Sequence, residues 1–336
     1  MKIESINKKW IKKALAGILI GIAVFISRNL IYEGLLEMRN ISLVKIIVIC
    51  LLSLCYMTAE GVVVKQVAGK HVQRMSIYKC LECAFYCAFL RIATFGSGAG
   101  LGEIYYLHEA GIKTAKATGI SLIQYMLHKI TIVLYGTAGF ILLFPVIRRF
   151  NGNLTPYMVS AIAITVGIVA GIVFISLPTK SSRAVLTAFP RLGKGHKKWQ
   201  DRINRLTEQA RVLQEASGEF IKEKKRLARI LFLDFFKFTC WYLIPFVIYG
   251  SDTGLTVGEM LVLTALTNML AGVIPVPSGL GALEAVFVIV YSPILGEQRS
   301  VSLALVYRLV TTLLPFLIGS VIAWNLGRTN IKEIPD

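Results

Sequence analysis

Residues 271–287 read AGVIPVPSGLGALEAVF, which sets two prolines and three glycines into the middle of a long apolar run. A helix interior tolerates neither residue well: proline removes a backbone donor and clashes with the preceding turn, and glycine adds an entropic cost. Non-helical backbone survives at membrane depth only where protein buries it or where it lines a wet cavity. Pro275, Pro277, Gly279 and Gly281 therefore imply a cavity. A helix restarting after Gly281 is expected to direct free N–H groups and its positive dipole end into that cavity, a setting that favours an anionic group such as a phosphate. Glu284 stands just past the break. The plainer alternative is a proline-kinked spanning helix.

The surroundings decide the solvent. The chain has 336 residues, 55% of them hydrophobic, and a mean hydropathy of +0.65, more than a soluble domain carries. Apolar windows of about 20 residues, enough to cross a hydrocarbon core of roughly 30 Å, begin near Ala14, Leu43, Gly119, Pro156, Arg229 and Val301. Two further stretches, Cys80 to Leu107 and Thr256 to Tyr291, are interrupted by glycine. The first window has no small-residue cleavage site after it and does not read as a signal peptide. The expected fold is an all-α polytopic membrane protein with about six full transmembrane helices and two glycine-broken re-entrant hairpins.

Net charge is +18, and topology accounts for it better than a nucleic-acid partner does. Lys and Arg number five in residues 1–13, four in 65–79, two in 108–118 and fourteen in 180–229. The alternate connections are poor in them: Arg28 and Arg39 are offset by Glu33 and Glu37, Arg148 and Arg149 follow, and Arg299 stands alone near the end. The positive-inside rule then places both termini and the basic loop in the cytoplasm, with the chain in the cytoplasmic membrane. The sides alternate consistently only if each glycine-broken stretch enters and leaves on one side, the first hairpin opening to the cytoplasm and the second to the outside.

The two breaks resemble each other. GSGAGLGEIYYL at 96–107 and PSGLGALEAVFV at 277–288 share a Gly-Leu-Gly core followed by an acidic residue and an apolar run, with Glu103 directly after its second glycine and Glu284 three positions after Gly281. Hairpins opening to opposite faces are the layout of an inverted repeat, in which broken helices meet near the midplane and build a substrate site. The expected organisation is a single domain, its first repeat covering about 14–145 and its second about 156–327. A basic, amphipathic loop at 179–228 completes it. In that loop Ile203, Leu206, Ala210, Leu213, Ala216 and Phe220 recur at helical spacing. It reads either as a membrane-surface helix with basic flanks near anionic headgroups or as a positive-inside connection and nothing more.

Ionisable residues fall inside the apolar windows: Glu60, Arg91, Glu103, Lys129, Asp234, Lys237, Glu284 and Arg308. Each costs about 2.5–3.5 kcal/mol at the bilayer centre, so the deepest are not expected to face lipid. Asp234 and Lys237 are spaced to pair on one helix face, and Glu60 and Lys237 can snorkel. Arg91 and Arg308 are the candidates for holding a phosphate, because a guanidinium grips its oxygens in a bidentate fork. Glu103 and Glu284 either pair with those arginines, receive a cationic group on the substrate, or carry a proton; Lys129 supports either cluster. The candidate headgroup site is therefore Arg91, Gly100, Gly102, Glu103, Lys129, Pro277, Gly279, Gly281, Glu284 and Arg308. Cys80, Cys83 and Cys87 line one helix face without a fourth ligand at suitable spacing, and His71, His108, His128 and His196 form no ligand pattern. No metal or cofactor is expected.

At these motifs the sequence resembles the membrane domain of the lysylphosphatidylglycerol synthase/flippase family, the multiple peptide resistance factors. The residues that carry the likeness are Gly102 and Glu103 with the following IYYLHEAGI, and PSGLGALEAVF from Pro277 to Phe287. In place of a proline-containing approach to the first motif the chain has FGSGAGLGE. The resemblance implies a membrane part that moves aminoacylated phosphatidylglycerol between leaflets, separate from a cytosolic part that takes lysine from its tRNA. The sequence ends at Asp336, ten residues after Leu326, so the transfer part is expected to be absent from it.

Three functions compete at this level. The first is a lipid translocase that binds phosphatidylglycerol or its aminoacylated form. The second is the membrane subunit of a split phosphatidylglycerol lysyltransferase, with a separate aminoacyltransferase chain as partner. The third is an ion-coupled small-molecule transporter. No Ser-His-Asp arrangement, metal cluster or nucleotide loop is visible, and GSGAGLG follows no strand.

Overall fold

A computed structural model of the chain describes residues 32, 36–69, 75–94, 96, 98–188, 197–220, 222–276, 279 and 281–332. The window beginning near Ala14, and Pro277 of the candidate site, lie outside the described residues. The fold is all helical. Helices α1 (Leu43–Ala68), α2 (Ile77–Ala93), α3 (Ala99–Glu109) and α4 (Thr114–Leu142) lead into α5 (Phe144–Asn151) and α6 (Thr155–Ser176). The hydrophilic segment contributes α7 (Lys180–Ala188) and α8 (Lys197–Phe220). Then come α9 (Lys224–Tyr242), α10 (Ile244–Thr253), α11 (Val257–Val273), α12 (Ala282–Leu295), α13 (Glu297–Arg308), a π-helical stretch Leu309–Leu313, and α14 (Leu314–Lys332).

Local chemistry sets the ends. Ser42 and Ser76 accept hydrogen bonds from the backbone N–H of Lys45 (3.4 Å) and Lys79 (3.3 Å), starting α1 and α2. Thr256 and Glu259 satisfy each other's backbone donors at the start of α11 in a capping box. Proline lies in the first turn of α5, α6 and α10, where its missing donor costs no hydrogen bond.

Among the described residues four helical stretches are long and apolar enough to cross a membrane: Leu43–Ala68, Thr114–Leu142, Gly152–Ser176 and Glu297–Leu326. A fifth is the pair α9 and α10, bent by 49°, with Pro245 in the first turn just past the bend. These five coincide with five of the six apolar windows. The arms of the two expected hairpins are shorter. Helices α2 and α11 have 17 residues each, α3 has 11 and α12 has 14; at about 1.5 Å per residue none alone spans a core of roughly 30 Å. At the first break the hydroxyl of Thr94 donates to Leu90 O at 2.7 Å and accepts from Gly98 N at 2.6 Å. At the second, Gly279 and Gly281 have φ of 62° and 81°, in the left-handed region that favours glycine.

Helix α1 lies along α9, α2 packs on α14, and α4 packs on α11. Small residues permit the close approaches. A Cβ at Gly319 would come within 2.9 Å of the Phe85 carbonyl carbon, bringing α14 against α2, and Gly136 and Gly139 of α4 leave room for Met269 and Val262 of α11. One apolar cluster surrounds the second hairpin (Tyr249, Phe287, Tyr291, Tyr307), another the first (Val63, Cys80, Leu107, Leu127). A third joins them through Tyr56, Phe85, Phe238 and Tyr242.

The amphipathic segment forms α8, which packs on α4 and α6. It buries Thr207, Leu213, Gln214, Ser217 and Phe220, while Leu206 stays 54% exposed. The buried stripe is thus rotated from the one that hydrophobicity alone marks. Gln214 fastens it by donating to Ile175 O and Leu177 O, at 3.2 and 3.1 Å.

Candidate functional site

A cavity of about 470 Å³ opens between the two hairpins. Its wall takes Tyr56 and Glu60 from α1, Arg91 from α2, Trp241 from α9, Asn268 from α11, and Tyr307 and Arg308 from α13. The π-helical stretch supplies Leu309, Thr311, Thr312 and Leu313. This stretch interrupts the regular i→i−4 pattern, and single-turn π segments often mark functional positions. Its Val310 carbonyl accepts from the Ser53 hydroxyl at 2.7 Å, so the irregularity is satisfied by a neighbouring helix.

Of the candidate headgroup residues, the cavity brings together Arg91 and Arg308. Glu284 stands at its edge, with Oε1 3.3 Å from Arg308 Nε. Its other oxygen accepts from Gly281 N at 2.9 Å. The helix restarting after Gly281 therefore does not offer that N–H to a ligand, because its own first-turn carboxylate has taken it. Gly279 and Gly281 shape the approach to Leu283, which reaches the cavity wall. Pro277 lies outside the described residues.

The first hairpin departs further from expectation. Gly100 and Gly102 sit within α3 rather than at the break, which falls at 94–98. Gly102 makes room for Leu90 across the hairpin. Glu103 is buried and accepts from the Ser121 hydroxyl at 2.7 Å, with its other oxygen lacking a hydrogen-bond partner among the described residues. Lys129 stacks over the Tyr125 ring at 5.5 Å on its own helix. Neither Glu103 nor Lys129 lines the cavity.

Beside the cavity lies a buried charge cluster. Lys237 is fully buried, with Nζ 2.5 Å from Glu60 Oε2 and 2.5 Å from Asp234 Oδ1. Glu60 also accepts from Gln124 Nε2 at 3.0 Å. The expected Asp234–Lys237 pair is present. The expected snorkelling of Glu60 and Lys237 is not: their long side chains turn inward, since two carboxylates repay the desolvation of the ammonium. His128 joins this group, and one ligand atom each from Glu60, His128 and Asp234 lie within 4.8 Å of one another. The Lys237 ammonium occupies the position between the carboxylates that a cation would take. No spacing rule could have found this set, because its members come from three helices.

Aromatic residues complete the wall. Tyr56 and Trp241 are stacked, ring centroids 3.5 Å apart and planes 8° from parallel. Trp241 Nε1 is buried without a hydrogen-bond partner among the described residues. The cavity thus presents two guanidinium groups, which suit an anionic group, and a carboxylate, Glu60, beside an aromatic face.

A second cavity of about 430 Å³ lies between α4 and α8, with Lys116, Glu215, Glu223 and Arg226 among its lining residues. Its arginine is already committed: Arg226 donates to Gln66 O and Val67 O, both at 2.6 Å, closing the end of α1.

Residues 11–319 match the family model described as lysylphosphatidylglycerol synthase TM region. No curated protein matches the chain.

Proposed function

The chain belongs to the lysylphosphatidylglycerol synthase TM-region family, and from that membership we propose that it binds an anionic or aminoacylated phospholipid and translocates it across the cytoplasmic membrane. The observation that carries this reading is the cavity between the hairpins, into which Arg91 and Arg308 both project from different helices. Two permanent cations near the middle of a membrane protein cost several kcal/mol unless an anion answers them. Glu284 answers Arg308 and Glu60 faces Arg91, and a phosphate with more oxygens competes for the same guanidinium groups. The pairing of α2 with α14, and of α4 with α11, supports an inverted repeat of about 14–145 and 156–327. Rocking of one half against the other would then open the cavity to each leaflet in turn. Both termini lie in the cytoplasm in this reading.

The test is headgroup translocation in liposomes that contain only the purified protein, with fluorescent or aminoacylated phosphatidylglycerol. Movement by the native chain, lost in folded Arg308→Ala, is the expected result. Unchanged movement in that variant refutes the site assignment.

The family's description as part of a synthase favours one second reading, in which a separate aminoacyltransferase chain supplies the lipid and this chain is its membrane subunit. Co-purification with such a chain, and lipid movement only in its presence, is the outcome that selects it.

A further inference from the structure

The Glu60–Lys237–Asp234 cluster does not balance. Two carboxylates face one ammonium, so the group holds one surplus negative charge in the protein interior. Asp234 is the more buried acid, its side chain 1% exposed against 17% for Glu60. Its Oδ2 has no hydrogen-bond partner among the described residues. A buried carboxylate oxygen left so is costly, and a proton relieves it. The imidazole of His128 lies within 4.8 Å, near enough to be joined to it through one water.

We propose that Asp234 is a proton-binding site, and that its occupancy sets the charge the cavity presents to a headgroup. With Asp234 charged, the Lys237 ammonium is divided between two acids, and Glu60 keeps negative character on the cavity wall. A proton arriving on Asp234 Oδ2 leaves Lys237 to Glu60 alone. The O–H so formed reaches the ring of His128 through one water. The cavity holding Arg91 and Arg308 then becomes more positive, and an anionic headgroup binds more tightly. Coupling of this kind is reciprocal: binding of the anion draws a proton onto Asp234. This link to a headgroup rests on the lipid-binding reading above; the proton site does not.

Other ionisable groups face the cluster from every side. Arg91 on α2 acts on Glu60, and Lys129 on α4 acts on His128. Glu103 on α3 interacts with Glu60 and Lys237, and Tyr56 on α1 with Glu60 and Asp234. The acid of α11, Glu259, is held in the cap at that helix's first turn. Arg91 ties the cluster to the cavity, because it borders both.

The experiment is an infrared pH titration of the full chain in lipid nanodiscs, reading the C=O stretch of protonated carboxylic acid. A band that titrates in the native protein should vanish in Asp234→Asn and shift its midpoint in both Glu60→Gln and His128→Gln. Thermal unfolding establishes that each variant is folded. If Asp234→Asn proves unfolded, the His128→Gln midpoint decides. Persistence of the band in folded Asp234→Asn overturns the site, and an unmoved midpoint in Glu60→Gln overturns its link to the cavity. Addition of short-chain phosphatidylglycerol should raise the native midpoint and leave Asp234→Asn unaffected. If the lipid moves nothing while the Asp234 and Glu60 results hold, the lipid-binding reading fails and the proton site stands.

Discussion

Lys237 Nζ lies 2.5 Å from Glu60 Oε2, so one ion pair joins α9 to α1 across the interior and fixes the wall of the cavity at which the two hairpins meet. Removing the cation strands two acids. Lys237→Met is expected to cost about 3–5 kcal/mol, as for other broken buried pairs. Combining it with Glu60→Gln and Asp234→Asn should recover most of that loss. Thermal unfolding of the purified protein in one detergent at neutral pH checks both.

Glu284 has two duties that substitution separates. Glu284→Gln keeps an acceptor for Gly281 N and loses the charge beside Arg308. Stability should stay near native while an anionic headgroup is held more tightly and released more slowly. Glu284→Ala loses the cap as well, at about 1 kcal/mol. Headgroup binding and melting temperature, measured on both variants, distinguish the duties.

Trp241→Phe keeps an aromatic face for Tyr56 and removes the N–H donor. A hydrogen bond to a charged group contributes about 1.5–3 kcal/mol, so affinity for short-chain phosphatidylglycerol should fall about ten-fold or more with little change in melting. Calorimetric titration reads the first quantity. Unchanged affinity would remove Trp241 from the site.

Glycines at helix contacts differ from glycines facing outward. Alanine at 319 would meet the Phe85 backbone and Phe89 Cβ at 2.9 Å or closer, which backbone cannot easily yield. Gly319→Ala should destabilise by about 1–3 kcal/mol. Gly171, on α6, has nothing within 4 Å of such a Cβ. There alanine should be neutral or gain up to about 1 kcal/mol from helix propensity. A pair of melting curves gives the answer.

Much was legible in residue order because membrane helices satisfy their hydrogen bonds within the segment. The windows from Leu43, Gly119, Pro156, Arg229 and Val301, the glycine breaks flanking α3 and α12, and the i,i+3 pair Asp234–Lys237 all follow from local pattern. Arg91 and Arg308 stand out in the same way, since an arginine in an apolar window demands an explanation wherever it packs, and both line the one cavity. What the tertiary structure decided was which charges meet. Glu60, His128 and Asp234 come together from α1, α4 and α9. Glu103 is turned toward Ser121 and away from the cavity, and the free N–H expected at Gly281 is consumed by Glu284. Sequence spacing reports neighbours along one helix, and burial of charge is settled between helices, where only the packed fold brings the partners within reach.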